Sequence, residues 1–163
     1  YRSDMEPRLR SRLVTATPEE AVRQADIVVS AGVRTPTFHL DWIRPGALCI
    51  GLDLARAWHP DVIEGVDKIF IDDAKQFWDR YATEPEAFGS VKPPVTGQIS
   101  HVLLGKIPGR ESQQERILSL NVGMAICDLA LGDLIWREAE KRNAGTMLPL
   151  MEREDLLPDL PVR

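Results

Sequence analysis

The sequence has only two cysteines, no apolar stretch long enough to cross a membrane, and no strong excess of charge of either sign. Both cysteines, Cys49 and Cys127, lie in apolar segments, which indicates buried, unreactive thiols rather than a disulfide or a metal site. The 25 acidic and 20 basic residues are mixed along the chain and leave a net charge of -5. We therefore expect neither nucleic acid nor a membrane surface as a partner, and we expect a globular cytoplasmic protein.

The sequence also lacks any Gly-x-Gly-x-x-Gly or Gly-x-Gly-x-x-Ala segment. Such a loop holds the pyrophosphate of a dinucleotide with its backbone N–H groups, at the start of a helix. Nothing before residue 14 has the pattern of a first strand and helix. Taken alone, this absence argues against a dinucleotide site.

Short apolar runs alternate with candidate helices over most of the chain. Strands are predicted at 26–30, 47–51, 68–72 and 117–120, and helices at 17–25, 60–64, 73–81, 95–104 and 122–142. Short, wholly apolar strands separated by helices are typical of a parallel sheet that is covered on both faces. We therefore predict an α/β, Rossmann-like fold, with helices on both faces of the sheet and an apolar strand edge that something must cover.

Small or polar residues follow three of the predicted strands at their carboxyl ends, where ligands bind in open parallel sheets. These strand ends are Ser30-Ala31-Gly32-Val33, Gly51-Leu52-Asp53 and Asn121-Val122-Gly123. Each also has a simpler interpretation. The first is compatible with an ordinary tight turn, and Asp53 and Asn121 are compatible with helix caps or solvated loop residues.

The order of the motifs resembles the ornithine cyclodeaminase and mu-crystallin family over roughly residues 15–148. The most specific matches are the loop Gly105-Lys106-Ile107-Pro108-Gly109-Arg110 and the Gly-x-Ala-x-x-Asp-Leu-Ala segment at 123–130. The resemblance implies a Rossmann-type domain that binds NAD or NADP. It also implies a second domain that binds an amino or imino acid and forms a dimer.

The resemblance also implies roles for the three strand ends. Asp53 occupies the position of a catalytic aspartate that activates water or orients the amine. The cofactor-binding residues would be Ser30, Ala31, Gly32, Val33, Gly51, Leu52, Asn121, Val122 and Gly123, with the last three near the nicotinamide carboxamide. A carboxylate at this position can stabilise a developing iminium ion and manage its protons.

The chain departs from the family pattern after Asp53. Family members usually carry Pro-Gly-Lys and then Glu, whereas this chain reads Leu-Ala-Arg-Ala-Trp-His-Pro at 54–60. His59 could replace the missing proton carrier, but its place before Pro60 favours a surface residue at a helix start. His39 and His101 lack metal-ligand spacing and receive no role, and no metal site is predicted.

The family match and the missing phosphate loop together predict that an upstream segment or a second chain supplies the loop and the substrate domain. Residues 1–13 would be a tail or linker, 14–142 the carboxyl-terminal part of a dinucleotide-binding domain, and 143–163 an extension that contacts the second domain or a dimer partner. The leading hypothesis is part of an NAD(P)-dependent oxidoreductase of cyclodeaminase type, which exchanges a hydride with the nitrogen-bearing carbon of an amino or imino acid. The alternatives are a non-catalytic NAD(P)-binding protein of crystallin type and a scaffold subunit that completes a partner's fold.

Overall fold

Five parallel strands form one sheet in the computed structural model of the protein, which describes residues 2–32, 35–88 and 91–147. The strands are β1 (Ile27–Ser30), β2 (Leu48–Gly51), β3 (Lys68–Ile71), β4 (Val95–Gln98) and β5 (Ile117–Leu120). Their order across the sheet is β1-β2-β5-β3-β4. Every paired strand is parallel to its neighbour, so the predicted parallel α/β sheet is confirmed.

The connections between strands contain helices. The α-helices are α1 (Arg2–Met5), α2 (Pro18–Gln24), α3 (Pro60–Gly65), α4 (Ala74–Thr83), α5 (Ile99–Leu103) and α6 (Ala125–Lys141), and single 3-10 turns cover Glu6–Arg8, Leu40–Trp42 and Pro85–Phe88. The predicted tail at 1–13 therefore contains α1 and the first 3-10 turn. Most of the predicted extension, from residue 148 onward, lies outside the described residues.

The segment 95–104 differs from its predicted structure. It was expected to be one helix, but Val95–Gln98 forms strand β4 and only Ile99–Leu103 is helical. The β-branched Val95 and Thr96 suit a strand. The Thr96 hydroxyl also accepts a hydrogen bond from the backbone N–H of Ile69 in β3, at 3.1 Å. Pairing with a distant strand thus decides the conformation of this segment.

One face of the sheet carries the main hydrophobic core. Side chains at alternating strand positions, among them Val28, Cys49, Ile69 and Leu118, join helix side chains in a single buried cluster; the helix members are Val22, Val62, Ile63 and Phe77. Burial of Cys49 confirms the prediction for that thiol, and it raises the pKa of the thiol to about 12.

The opposite face of the sheet is only partly covered. A cavity of about 340 Å³ lies there, lined by Leu48, Ile50, Phe70 and Ile117 from the strands and by Ile99 and Val102 from α5. Farther out, Ile27 and Val29 of β1 are 61% and 54% exposed. β1 pairs with β2 on one side, and within the described residues no strand pairs with its other side. This edge is the apolar strand edge expected from the sequence.

The chain divides into two compact units, one ending at Met124 and one beginning at Ala125. In the second unit, α6 carries apolar side chains that are more than half exposed, including Ile126 and Leu129. Cys127, on the same helix, is exposed, so its predicted burial is wrong: apolar sequence neighbours bury a helical residue only where another element covers the helix. Within the described part of the chain, none of the helices combines the length and the apolar character of a membrane-spanning segment.

Candidate functional site

The three strand ends singled out from the sequence meet at one edge of the sheet. The parallel register places Ser30 of β1 level with Gly51 of β2 and with Leu120 of β5. Backbone hydrogen bonds continue past the last paired residues, since Leu52 N–H donates to Ser30 O and Asn121 N–H donates to Gly51 O, each at 3.0 Å. The ends of β1, β2 and β5, which are far apart in the sequence, therefore lie side by side along one edge of the sheet.

Asp53 is held by a residue of the neighbouring strand end. The Ser30 hydroxyl donates a hydrogen bond of 2.8 Å to Oδ1 of Asp53. Ser30 is only 1% exposed, whereas Asp53 is half-buried and remains open to the edge. Because the Ser30 hydroxyl faces the carboxylate, Ser30 orients the Asp53 side chain at this edge of the sheet.

A tight turn brings Asp53 to this position. Leu54, directly after Asp53, is buried and adopts a positive φ of 62°, a conformation that is strained for a branched side chain. The turn folds closely over Gly51: a Cβ at that position would overlap the carbonyl oxygen of Leu54 and lie 3.0 Å from Nε1 of Trp58. Only glycine at position 51 leaves room for the Leu54 carbonyl group in this turn.

Most of the residues that directly follow Asp53 belong to the core. Leu54, Ala55, Ala57 and Trp58 are all buried. Arg56 forms an ion pair of 2.9 Å with Glu84. His59 precedes helix α3 and its ring Nδ1 accepts a weak hydrogen bond from Asp61 N–H at 3.4 Å, which confirms the predicted helix-start position. The segment that follows Asp53 is thus packed against the rest of the chain.

The third strand end is fixed by an aspartate that was not among the predicted site residues. Oδ2 of Asp72 accepts hydrogen bonds from Val122 N–H at 2.9 Å and from Gly123 N–H at 2.6 Å. Asp72 follows β3, so this contact ties the end of β3 to the loop after β5. Those two N–H groups are therefore engaged within the protein.

The sequence contains a signal for Asp72. It is the last residue of the predicted strand 68–72, and Asp53 lies two residues after the predicted strand 47–51. The ends of parallel strands meet at one edge. Sequence alone does not show that β5 lies between β2 and β3, and that order brings Asp72 beside the Asn121 loop.

The remaining predicted residues differ in accessibility. Ala31, Gly32, Leu52 and Gly123 are exposed at the edge of the sheet. Gly32 has a positive φ of 78° and nothing within 4 Å of the position of a Cβ, so the backbone there is open to a ligand. Val33 lies outside the described residues.

The half-buried Asn121 connects two strand ends. Its side-chain Nδ2 donates a long hydrogen bond to Gly51 O at 3.4 Å, and its Oδ1 accepts from the Ser119 hydroxyl at 3.2 Å. Asn121 thereby links β5 to β2, beside the link that Ser30 makes to Asp53. Strands β1, β2, β5 and β3 are all cross-connected at this edge.

Comparison with known proteins shows which sequences this chain resembles. Residues 10–143 match the ornithine cyclodeaminase/mu-crystallin family. The nodulation efficiency protein NfeD of Rhizobium meliloti is 31% identical over 147 residues, which are 86% of this chain and 44% of that protein. N-((2S)-2-amino-2-carboxyethyl)-L-glutamate dehydrogenase of Staphylococcus aureus is 28% identical over 146 residues, or 85% of this chain and 42% of that protein.

Solved structures show the same fold. An archaeal alanine dehydrogenase dimer, determined with bound NAD, superposes with a TM-score of 0.68 and 27% identity. The alignment covers 91% of this chain and 48% of the dehydrogenase. The chain therefore spans less than half the length of these relatives, and it aligns with them over nearly all of its own length.

Proposed function

The chain belongs to the ornithine cyclodeaminase/mu-crystallin family, and from this membership we propose that it is the carboxyl-terminal part of an NAD(P)-dependent oxidoreductase. The reaction is exchange of a hydride between the nicotinamide and the nitrogen-bearing carbon of an amino or imino acid. Relatives named as an amino acid dehydrogenase and as an alanine dehydrogenase with bound NAD support this reaction class.

The observation that carries the proposal is the Ser30–Asp53 pair at the carboxyl edge of the sheet. Hydride transfer from an amine leaves an iminium ion, and hydrolysis or reduction of that ion moves protons. A fixed carboxylate stabilises the cation and can accept or return a proton. Asp53 is the catalytic residue in this proposal, and Ser30 is the residue that positions it.

The exposed backbone of Ala31, Gly32 and Leu52 is the proposed surface for the nucleotide. These residues have little side-chain bulk or point outward, so a ribose or nicotinamide ring can lie against the strand ends. The carbonyl groups of Asn121–Gly123 would accept hydrogen bonds from the carboxamide of the nicotinamide. The cofactor class is NAD or NADP.

The pyrophosphate needs a helix start rich in N–H groups, which an upstream segment or a second chain would provide together with the substrate domain. The free edge of β1 is the proposed place where that part joins. Its backbone groups are unpaired by any described strand, and the apolar Ile27 and Val29 beside it are exposed. Addition of further parallel strands there would extend the sheet and cover both side chains.

The test is an activity assay of the full chain in complex with every protein that co-purifies with it. NAD(P)H oxidation is followed with cyclic imines, and with keto acids plus an amine. Asp53→Asn is expected to reduce turnover by at least about a hundredfold, the usual contribution of an acid–base group, while NAD(P)H affinity stays the same. The matched control is Asp79→Asn on α4, where the exposed aspartate pairs only with Lys75 among the described side chains. Full activity in Asp53→Asn would contradict the proposal.

A second candidate function is nucleotide binding without catalysis, as in a crystallin-type protein. The burial of Leu54, Ala55 and Ala57 favours it, because the segment that follows Asp53 is built into the core instead of facing the edge. This candidate predicts NAD(P)H binding in the micromolar range and no turnover of any amine or imine substrate. A scaffold subunit would show neither binding nor any effect of Asp53→Asn.

A further inference from the structure

Two histidines that are far apart in the sequence are held side by side by their backbones. Phe38 and Trp58 form an isolated parallel bridge, in which Phe38 N–H donates to Ala57 O and His59 N–H donates to Phe38 O, each at 2.9 Å. The next residue of each segment is a histidine. As a result the rings of His39 and His59 lie 4.4 Å apart between centroids.

A carboxylate completes the group. Asp61, in the first turn of α3, places Oδ2 at 3.5 Å from Nδ1 of His39 and Oδ1 at 3.2 Å from Nδ1 of His59. One ligand atom from each of the three residues lies within 4.8 Å of the other two. In the described part of the chain, no lysine or arginine pairs with Asp61, so its negative charge faces the two imidazoles.

From this geometry we infer that His39, His59 and Asp61 form a binding site for a divalent transition-metal ion of the Zn²⁺ class. Two imidazoles and one carboxylate are a ligand set that Zn²⁺ accepts, with bonds of about 2.0–2.1 Å and ligand atoms therefore about 3.4 Å apart. Nδ1 of His39 lies 3.5 Å from Oδ2 of Asp61 and Nδ1 of His59 lies 3.2 Å from Oδ1, so each imidazole is near that spacing from one of the two carboxylate oxygens. Metal binding at Nδ1 of His59 would replace the weak 3.4 Å hydrogen bond that this atom accepts from Asp61 N–H. All three side chains are partly exposed, which leaves a coordination position for water or for a fourth ligand.

The surroundings hold the ligands in place. Leu40 N–H donates to Oδ1 of Asp61 at 3.3 Å, and the Trp42 ring packs edge-on against the His39 ring with centroids 5.3 Å apart. Hydrogen bonds and packing of this kind orient metal ligands and reduce the entropy lost on binding. The site is independent of the Ser30–Asp53 pair and does not depend on the proposed reaction.

Direct titration tests the inference. The full chain is freed of metal with a chelator and titrated with Zn²⁺ in a calorimeter. We expect one ion per chain with a dissociation constant in the micromolar range, and binding weaker by about tenfold or more in His39→Gln and in Asp61→Asn. His101→Gln is the matched control, because His101 lies outside the cluster beside Gln98, and its affinity should equal that of the wild type.

A measurement on the unmodified chain guards against variants that fold poorly. In NMR spectra, Zn²⁺ should shift the imidazole signals of His39 and His59 and leave those of His101 in place. The inference is overturned if no saturable binding occurs up to about millimolar Zn²⁺, if His39→Gln binds like the wild type, or if the two imidazoles do not respond.

Discussion

The Ser30 hydroxyl donates a hydrogen bond of 2.8 Å to the Asp53 carboxylate across 23 positions of sequence. It joins the carboxyl end of β1 to the turn that follows β2. Ser30 is 1% exposed, so the donor of this contact is shielded from water, while the carboxylate acceptor is half-buried. Hydrogen bonds to a charged acceptor contribute more than neutral ones. The pair therefore fixes the one carboxylate for which the family resemblance implies a chemical role.

Ser30→Ala tests that contact. The loss of this part-buried hydrogen bond to a carboxylate should lower the free energy of unfolding by about 1.5–3 kcal/mol, measured by urea denaturation with tryptophan fluorescence. In the active complex kcat should fall while KM for NAD(P)H changes little, because Asp53 remains present but is less well oriented. The matched control is Ser119→Ala, where a buried serine donates to the neutral Asn121 at 3.2 Å. Equal effects of the two substitutions would argue against a special role for the pair.

Gly51→Ala tests the tight turn that carries Asp53. The added methyl group would overlap the carbonyl oxygen of Leu54, and because that atom belongs to the backbone the turn has to move. We expect a loss of roughly 3 kcal/mol in the free energy of unfolding. Gly132→Ala is the control: Gly132 lies inside α6 with nothing within 4 Å of a Cβ, so alanine there should stabilise the helix by up to about 1 kcal/mol. A neutral effect of Gly51→Ala would contradict the close packing of this turn over Gly51.

The sequence was sufficient to predict most of the sheet. Four strands were found because each is a short run of apolar residues, the pattern of strands buried on both faces. The fifth, β4, was missed because Val95–Gln98 contains one large apolar residue and two polar ones, and its conformation depends on pairing with β3. The order of the strands in the sheet could not be predicted from the sequence either, because contacts between distant segments decide it.

The candidate site was predicted in its position and only partly in its contacts. Asp53 and Ser30 were both named from strand ends, but the hydrogen bond between them depends on a turn with Leu54 at positive φ, which no local pattern signals. Asp72 was missed for a similar reason, because its partners lie 50 and 51 positions away. His39 and His59 became neighbours through a backbone bridge that periodicity does not reveal.

Asp72→Ala tests the anchor of the loop after β5. Without the carboxylate, the N–H groups of Val122 and Gly123 lose their acceptor, and hydrogen exchange at these two amides should accelerate. The cost in the free energy of unfolding should be about 1–3 kcal/mol. Asp73→Ala is the control, since Asp73 caps α4 by accepting from Gln76 N–H; it should cost about 1 kcal/mol and leave both amides protected. Unchanged hydrogen exchange at Val122 and Gly123 in Asp72→Ala would contradict the role of Asp72 in holding this loop.

Thiol labelling distinguishes the two cysteines. Cys49 is fully buried and Cys127 is exposed. Iodoacetamide should therefore modify one thiol per native chain, at Cys127, and both thiols after denaturation in urea. Peptide mass spectrometry identifies the labelled residue. Rapid modification of Cys49 in the native protein would contradict its place in the core.

The same burial makes stability depend on pH in the alkaline range. Burial raises the pKa of Cys49 from 9.0 to about 12, so the folded state keeps the neutral thiol while the unfolded chain ionises above about pH 9. The contribution of the neutral thiol is thus present in full below pH 9 and is lost as the pH rises toward 12. At pH 10 the loss should be about 1.4 kcal/mol.

Lysine and tyrosine side chains also titrate in this range, so the quantity to measure is the difference in the free energy of unfolding between the wild type and Cys49→Ala. Cys49→Ala is less stable at pH 8 because of the cavity it leaves, and its deficit should shrink by about that amount at pH 10. A deficit that stays constant between the two pH values would show that the thiol ionises equally in both states.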